Sequence, residues 1–152
     1  MRTFLITSLF IMLFAGCTHQ NAFTRFHISQ KEERTEESIQ TVKITLNGES
    51  VGLATVVYLN KVMPKIYYDK EYFYLYYYLK DKEAKIEFLL NNKRALDVKE
   101  LPSKNRFSNL TSFNASWSQY RLVVFKKAGN VLKFTIKTDK AAKATLEFVK
   151  DK

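Results

Sequence analysis

The chain has 152 residues and a formal net charge of +10, and 46% of its residues are hydrophobic while 26% are charged. With only four glycines and two prolines, these values are typical of one folded domain and exclude a disordered or collagen-like chain. A single cysteine, Cys17, excludes an intramolecular disulfide, so the hydrophobic core alone must stabilise the domain.

The N-terminus has the three-part layout of a secretory signal peptide. Residues 1–3 give a positive start, residues 4–14 form an apolar segment, and two small residues precede Cys17. The apolar segment is shorter than the roughly 20 residues that a membrane-spanning helix needs. We therefore predict a signal peptide over residues 1–16.

The end of this segment, Phe14-Ala15-Gly16-Cys17, resembles the lipobox of bacterial lipoproteins, with Phe14 where Leu, Val or Ile is commoner. The resemblance implies cleavage before Cys17 and acylation of its thiol and new amino terminus, with palmitate among the acyl groups. An ordinary signal peptide would leave a free thiol, which is a liability in an oxidising compartment. By resemblance to Gram-negative lipoproteins, Thr18 implies sorting to the outer membrane, where the lipid-anchored domain would face the periplasm.

Residues 17–40 form a polar segment without strand alternation, which we predict to be a flexible tether. Closely spaced like charges within residues 31–37 disfavour a stable helix. Both histidines, His19 and His27, lie in this segment, where no rigid partner would orient them for catalysis or metal binding. The tether carries more acidic than basic residues, so the positive charge belongs to the domain that follows.

Residues 41–152 change to the period-two alternation of β-strands, and Asn47-Gly48 is a hairpin turn signal. The predicted strands are 42–46, 53–59, 72–79, 86–90, 95–98, 120–125, 132–137 and 144–149. This pattern predicts an all-β fold, an antiparallel β-sandwich of seven or eight strands with immunoglobulin-like architecture. The predicted core comprises Val42, Ile44, Leu46, Val56, Tyr58, Phe73, Leu75, Tyr77, Ile86, Phe88, Leu122, Val124, Leu132, Phe134, Ile136, Leu146 and Phe148.

Seven of the nine tyrosines lie between positions 67 and 78. Strand alternation places four of them on one face of the third predicted strand: Tyr72, Tyr74, Tyr76 and Tyr78. If that face is exposed, the four rings form a platform for a glycan or a partner protein. The alternative is a central strand that is covered on both faces.

The longest segment without a predicted strand spans residues 101–118, and long loops on a rigid scaffold often bind ligands. Its candidate binding residues are Arg106, Phe107, Phe113 and Trp117. Trp117 has a second interpretation, in which its ring fills space beneath the loop.

The sequence lacks a nucleophile elbow, a glycine-rich phosphate loop and a cluster of Cys and His residues. We therefore predict a protein that is not an enzyme and has no catalytic residues, metal ligands or cofactor. Four carboxylates near predicted turns are expected in solvent: Asp69, Glu71, Asp81 and Glu83.

The chain resembles a group of small uncharacterised Gram-negative lipoproteins in four stretches, residues 54–60, 72–79, 88–93 and 116–120. That resemblance implies no activity and transfers no functional residue. The β-sandwich lipoprotein of type VI secretion systems has a similar size, anchor and strand content, but its characteristic loop motifs are missing here.

These features predict a non-enzymatic envelope lipoprotein that binds another envelope protein or an acidic glycan. The basic domain suits acidic partners, and the export signal argues against nucleic acid. The alternatives are a periplasmic carrier of a lipid or small ligand, which would need an apolar cavity, a surface-exposed adhesin, and an accessory lipoprotein of a secretion system.

Overall fold

The computed structural model describes residues 37–111 and 114–150. The predicted signal peptide, the lipidation site Cys17, nearly all of the tether and Phe113 lie outside the described residues. In the part that is described, no helix has the length and apolar character needed to cross a membrane.

The described chain is nearly all β-structure, as the alternation predicts. Its strands are β1 Ile39–Leu46, β2 Glu49–Tyr58, β3 Glu71–Leu79, β4 Ile86–Leu90, β5 Lys93–Arg94, β6 Asp97–Leu101, β7 Gln119–Phe125, β8 Val131–Thr138 and β9 Lys143–Val149. The short helix α1, Leu59–Val62, follows β2, and a 3-10 turn, Ser108–Leu110, lies between β6 and β7. All eight predicted strands overlap observed ones, while β5 was missed and the predicted strand 95–98 includes the turn before β6.

The nine strands form one curled antiparallel sheet in the order β5-β4-β8-β9-β1-β2-β3-β7-β6. The all-β antiparallel fold is thus confirmed, whereas the predicted sandwich with immunoglobulin-like architecture is not. The curl brings the two edges of the sheet together at one point. There the Ala95 amide donates to the Phe88 carbonyl of β4 at 3.3 Å, and the Leu96 amide donates to the Val124 carbonyl of β7 at 2.7 Å.

The inner face of the curled sheet encloses the main core, in which Phe73 packs against Phe125, Phe134 and Phe148 with ring centroids 4.8–5.9 Å apart. Burial in this core is confirmed for Ile44, Val56, Tyr58, Phe73, Leu75, Tyr77, Phe88, Leu132, Phe134, Ile136, Leu146 and Phe148. Val42, Leu46 and Ile86 are only partly buried against it.

Strand β7 has the opposite register to the one predicted. Val123 and Phe125 face the main core, while Leu122 and Val124 are buried on the outer face. Alternation could not decide this register, because both faces of β7 are apolar and covered.

A second cluster covers the outer face of β2, β3 and β7. Its buried members are Val57, Leu59, Tyr67, Tyr74, Phe107, Tyr120 and Leu122. The cover is the described part of the β6–β7 connection, residues 102–111 and 114–118, together with Leu59 and Tyr67 of the β2–β3 connection. Strand β3 therefore packs on both faces along part of its length. Of the two alternatives for the tyrosine strand, the exposed platform and the strand covered on both faces, this part of β3 corresponds to the second.

Glu71 at the start of β3 is fully buried, so its predicted place in solvent is wrong. Its carboxylate accepts hydrogen bonds from the Tyr58 hydroxyl at 2.7 Å, the Ala128 amide at 3.0 Å and the Lys150 ammonium at 2.5 Å. Burial raises the pKa of Glu71, but these donors and the Lys150 charge outweigh burial and leave the pKa below its ordinary value.

Because neighbouring strands are antiparallel, their connections alternate between two ends of the sheet. We call the end at which β1 begins the entry end, and the opposite end the far end. The entry end comprises residues 37–38, 59–70, 91–96, 126–130 and 150. The far end comprises residues 47–48, 80–85, 114–118 and 139–142, and residues 102–111 leave it to cross the outer face, where Phe107 contacts Tyr67.

Candidate functional site

The β6–β7 connection is fixed to the outer face of the sheet by Phe107. The Asn105 side-chain oxygen accepts from the Phe107 amide at 2.9 Å, and its amide nitrogen donates to the Pro102 carbonyl at 2.9 Å. This local turn directs Phe107 inward, where its ring centroid lies 5.0 Å from that of Tyr74. Tyr74 is consequently buried, and burial raises the pKa of its hydroxyl.

The other end of this connection is held by Tyr120. The Ala115 amide donates to the Tyr120 hydroxyl at 2.7 Å, and that hydroxyl lies 3.0 Å from the Ala115 carbonyl, to which it donates. The Ser118 amide also donates to the Ala115 carbonyl, at 3.2 Å, which closes a turn over residues 115–118. This turn presents Trp117.

Trp117 projects into solvent with 59% of its surface exposed, so it does not fill space beneath the loop. Its ring meets that of Tyr78 edge to face, with centroids 5.5 Å apart and an interplanar angle of 89°. Such a pair is a favoured aromatic arrangement. The two rings form one wall of a groove on the outer face of β1, β2 and β3.

This aromatic groove has a volume of about 320 Å³ and is lined by Thr41, Leu53, Thr55, Tyr76, Tyr77, Tyr78, Trp117 and Ser118. Sheet register builds it, because Leu53 pairs with Tyr78 and Thr55 pairs with Tyr76. The hydroxyls of Thr41 and Thr55 lie 2.8 Å apart. The groove therefore combines aromatic faces with hydroxyl groups that can donate and accept hydrogen bonds.

The groove unites only some of the predicted binding residues. Tyr76, Tyr78 and Trp117 line it, whereas Tyr74 and Phe107 lie inside the second cluster.

Tyr72 and Arg106 belong to the surroundings of that cluster and not to the groove. The Tyr72 hydroxyl donates to Asp69 at 2.8 Å, a bond that raises the pKa of Tyr72 and lowers that of Asp69. The Arg106 guanidinium stacks over the ring of Phe107 at 4.8 Å. Arg106 thus covers the outer side of the buried Phe107 ring.

Sequence reasoning missed the β1 and β2 side of the groove. Leu53 faces outward and is 47% exposed, although its neighbours Ala54 and Val56 are buried. The sequence did signal an outward-facing apolar residue, because Leu53 is out of phase with the core alternation. It did not signal that Leu53 pairs with Tyr78, because the order of the strands cannot be read from the sequence.

No group of three or more Asp, Glu, His or Cys side chains within residues 37–111 and 114–150 is arranged to hold a metal ion. The chain matches no known family model, and no curated protein or solved structure is significantly similar to it. The aromatic groove is the arrangement in the described chain that best fits a binding site.

Proposed function

We propose that this protein is a non-enzymatic lipoprotein, anchored through acylated Cys17 in the outer membrane, whose domain binds an acidic glycan in the aromatic groove. The observation that carries the proposal is the combination of the exposed Trp117 and Tyr78 rings with threonine hydroxyls in one open groove. Sugar rings have apolar faces and hydroxyl edges, and the groove offers a partner for each.

The charges around the groove support an acidic ligand. No acidic side chain of the described residues lines the groove. Lys43 of β1 is exposed and pairs in register with Leu53, so its ammonium lies on the same outer face. A cation on the β1 side of the groove, opposite the aromatic wall, favours a ligand that carries carboxylate or phosphate groups.

The interior of the domain supports a binding module in preference to a carrier. Aromatic rings fill the main core, and Phe73 alone contacts four other rings within 6 Å. A carrier would need an apolar cavity of several hundred cubic ångströms in that place.

The proposal is tested by titrating the processed chain with uronic-acid oligomers and peptidoglycan-derived muropeptides in a calorimeter, beside neutral oligomers of similar length. We expect binding of an acidic glycan, and an affinity about 30-fold lower for Trp117→Ala, since removing a central aromatic contact costs about 2 kcal/mol. Tyr68→Ala, which removes an exposed ring outside the groove, is the matched control and should bind like the parent chain.

The second candidate partner is another envelope protein, and the exposed apolar surfaces of Trp117 and Leu53 favour it. In that case the calorimetric titration would detect no heat of binding for any glycan. A photoreactive residue in place of Tyr78 would then capture one recurrent protein in cells, and the Trp117→Ala substitution would abolish that adduct.

A further inference from the structure

The tether joins the domain at its entry end. The Glu37 carboxylate pairs with Lys61 at 2.6 Å, and the Ser38 carbonyl accepts from the Tyr58 amide at 2.9 Å. If Cys17 carries the lipid, only residues 18–36 separate this point from the bilayer. The entry end is therefore the part of the domain to which the proposed anchor is connected.

The entry end is also where most of the large exposed apolar side chains lie. Eight such side chains occur among the described residues, and five of them are at this end or in the strand positions next to it. They are Ile66 (64% exposed), Tyr68 (66%), Leu96 (50%), Val131 (50%) and Val149 (57%). Val131 and Val149 are register partners, so they form one apolar patch. Exposed apolar groups concentrated at one end are typical of a contact surface.

Lysines surround these apolar residues. A groove of about 510 Å³, which we call the cationic groove, is lined by Leu90, Asn91, Lys93, Arg94, Leu96, Phe125, Lys126, Lys127, Ala128 and Gly129. Lys127 also lines an adjoining groove with Tyr68 and Lys150, so the cations adjoin the exposed Leu96 and Tyr68 side chains.

Among the described residues, three of these cations have no opposite charge beside them. The carboxylates near this end form ion pairs with other cations: Glu71 pairs with Lys150, Glu87 with Arg94, and Glu37 with Lys61. Lys93, Lys126 and Lys127 make no ion pair with any other described residue. No described carboxylate therefore neutralises these three charges.

We infer that the entry end docks on the anionic headgroup surface of the membrane that holds the lipid anchor. Lys93, Lys126 and Lys127 would contact lipid phosphates, while Ile66 and Tyr68 enter the headgroup region, where tyrosine is favoured. The placement of this membrane rests on the proposed anchor at Cys17. Docking in this orientation leaves the aromatic groove open, because Leu53 and Tyr78 lie near the far end.

The test uses residues 17–152 produced directly without the signal peptide and carrying Cys17→Ser, so that neither cleavage nor an acyl chain is involved in binding. Sedimentation with vesicles of phosphatidylcholine and phosphatidylglycerol in equal parts should capture it at low salt, and phosphatidylcholine vesicles should not. Replacing Lys93, Lys126 and Lys127 with Gln should weaken partition about a hundredfold, since each lysine near an anionic surface contributes about fivefold.

The matched control replaces three far-end or far-end-adjacent lysines, Lys80, Lys85 and Lys143, with Gln and changes the net charge equally. It should retain most of the binding. Equal loss in both triple variants, or no capture of the parent chain, would overturn the docking surface.

The apolar contact is tested by the Ile66→Ser and Tyr68→Ser double variant, which should weaken the vesicle binding that survives at high salt. Unchanged binding at high salt would show that Ile66 and Tyr68 do not contact the membrane. Glycan titration of the same samples separates failure of docking from failure of the aromatic groove.

Discussion

At the scale of single residues, the Glu71 carboxylate joins parts of the chain that are far apart in sequence. Tyr58 at the end of β2, Ala128 in the β7–β8 connection and Lys150 after β9 all donate to it. A buried charge is stable only when it is paired and hydrogen-bonded, and here three donors do this. Glu71 thereby fixes the entry end on which the docking surface lies.

We expect Glu71→Gln to lower the free energy of unfolding by about 2–3 kcal/mol at neutral pH, because it leaves Lys150 without its counter-charge. Urea denaturation measures this, with the exposed Glu49→Gln as the matched control.

The pKa of Glu71 is lowered on folding, so the contribution of Glu71 to the free energy of unfolding is complete above the ordinary glutamate pKa of about 4.3. The contribution is lost as the pH falls through the lower folded-state pKa. The Glu71→Gln variant should lack this acid-dependent loss, and an identical acid profile in both proteins would refute the role.

Residue environments of this kind could not be predicted from the sequence. Glu71 follows a run of turn residues, which favoured a solvent position, and its partners lie 57 and 79 residues further along the chain. The alternation of Tyr72, Tyr74, Tyr76 and Tyr78 was correctly predicted, since strand geometry alone sets it. Which of these rings are covered depends on where residues 102–111 and 114–118 lie, and no local pattern encodes that placement.

At the scale of elements, the close packing of β1, β2 and β3 supports the aromatic groove. Gly52 of β2 lies against atoms of both neighbouring strands, Ile44 of β1 and Tyr78 and Leu79 of β3. A Cβ added there would lie 2.5 Å from the Tyr78 carbonyl oxygen and 2.7 Å from a Leu79 methyl group. Because backbone cannot yield as a flexible side chain can, the site requires glycine.

We expect Gly52→Ala to destabilise the domain by about 2–3 kcal/mol through this overpacking. It should also weaken ligand binding in the aromatic groove, because the displaced atoms belong to Tyr78 and its neighbour. The matched control is Gly129→Ala, where an added Cβ would meet nothing within 4 Å. Thermal unfolding compares the two, and equal melting temperatures would contradict the packing described.

Element positions were predicted well because eight of the nine strands are long enough to show a pattern. The two-residue β5 was too short to show one. The arrangement of the strands was not predictable, since an alternating strand looks the same in one curled sheet as in a two-sheet sandwich. In β7 the pattern itself failed, because Leu122 and Val124 are as apolar as Val123 and Phe125.

At the scale of the whole molecule, the two proposed surfaces occupy different places on one sheet. The cationic groove and its apolar neighbours lie at the entry end, whereas Leu53, Tyr78 and Trp117 lie toward the far end. A domain docked through the first surface would present the second away from the bilayer. Anchoring, orientation and binding are then separate tasks of separate parts of the chain.

The proposed anchoring depends on Cys17, the only thiol in the chain. We expect Cys17→Ser to abolish labelling by an alkyne-modified palmitate, to block cleavage after residue 16 and to remove the mature protein from the outer-membrane fraction. Thr18→Ser is the matched control and should be labelled, cleaved and sorted like the parent chain. Labelling of the Cys17→Ser chain would disprove lipidation at this residue.

Glycan binding in the aromatic groove can be measured by the tryptophan fluorescence of the intact processed chain during titration with acidic glycans. Trp117 is the only tryptophan, so the emission reports on the aromatic groove alone. Binding in the groove predicts a saturable change in emission with an acidic oligosaccharide and none with its neutral counterpart. Constant emission across uronic-acid oligomers and muropeptides, from a chain that is folded and shows an exposed tryptophan, would contradict it.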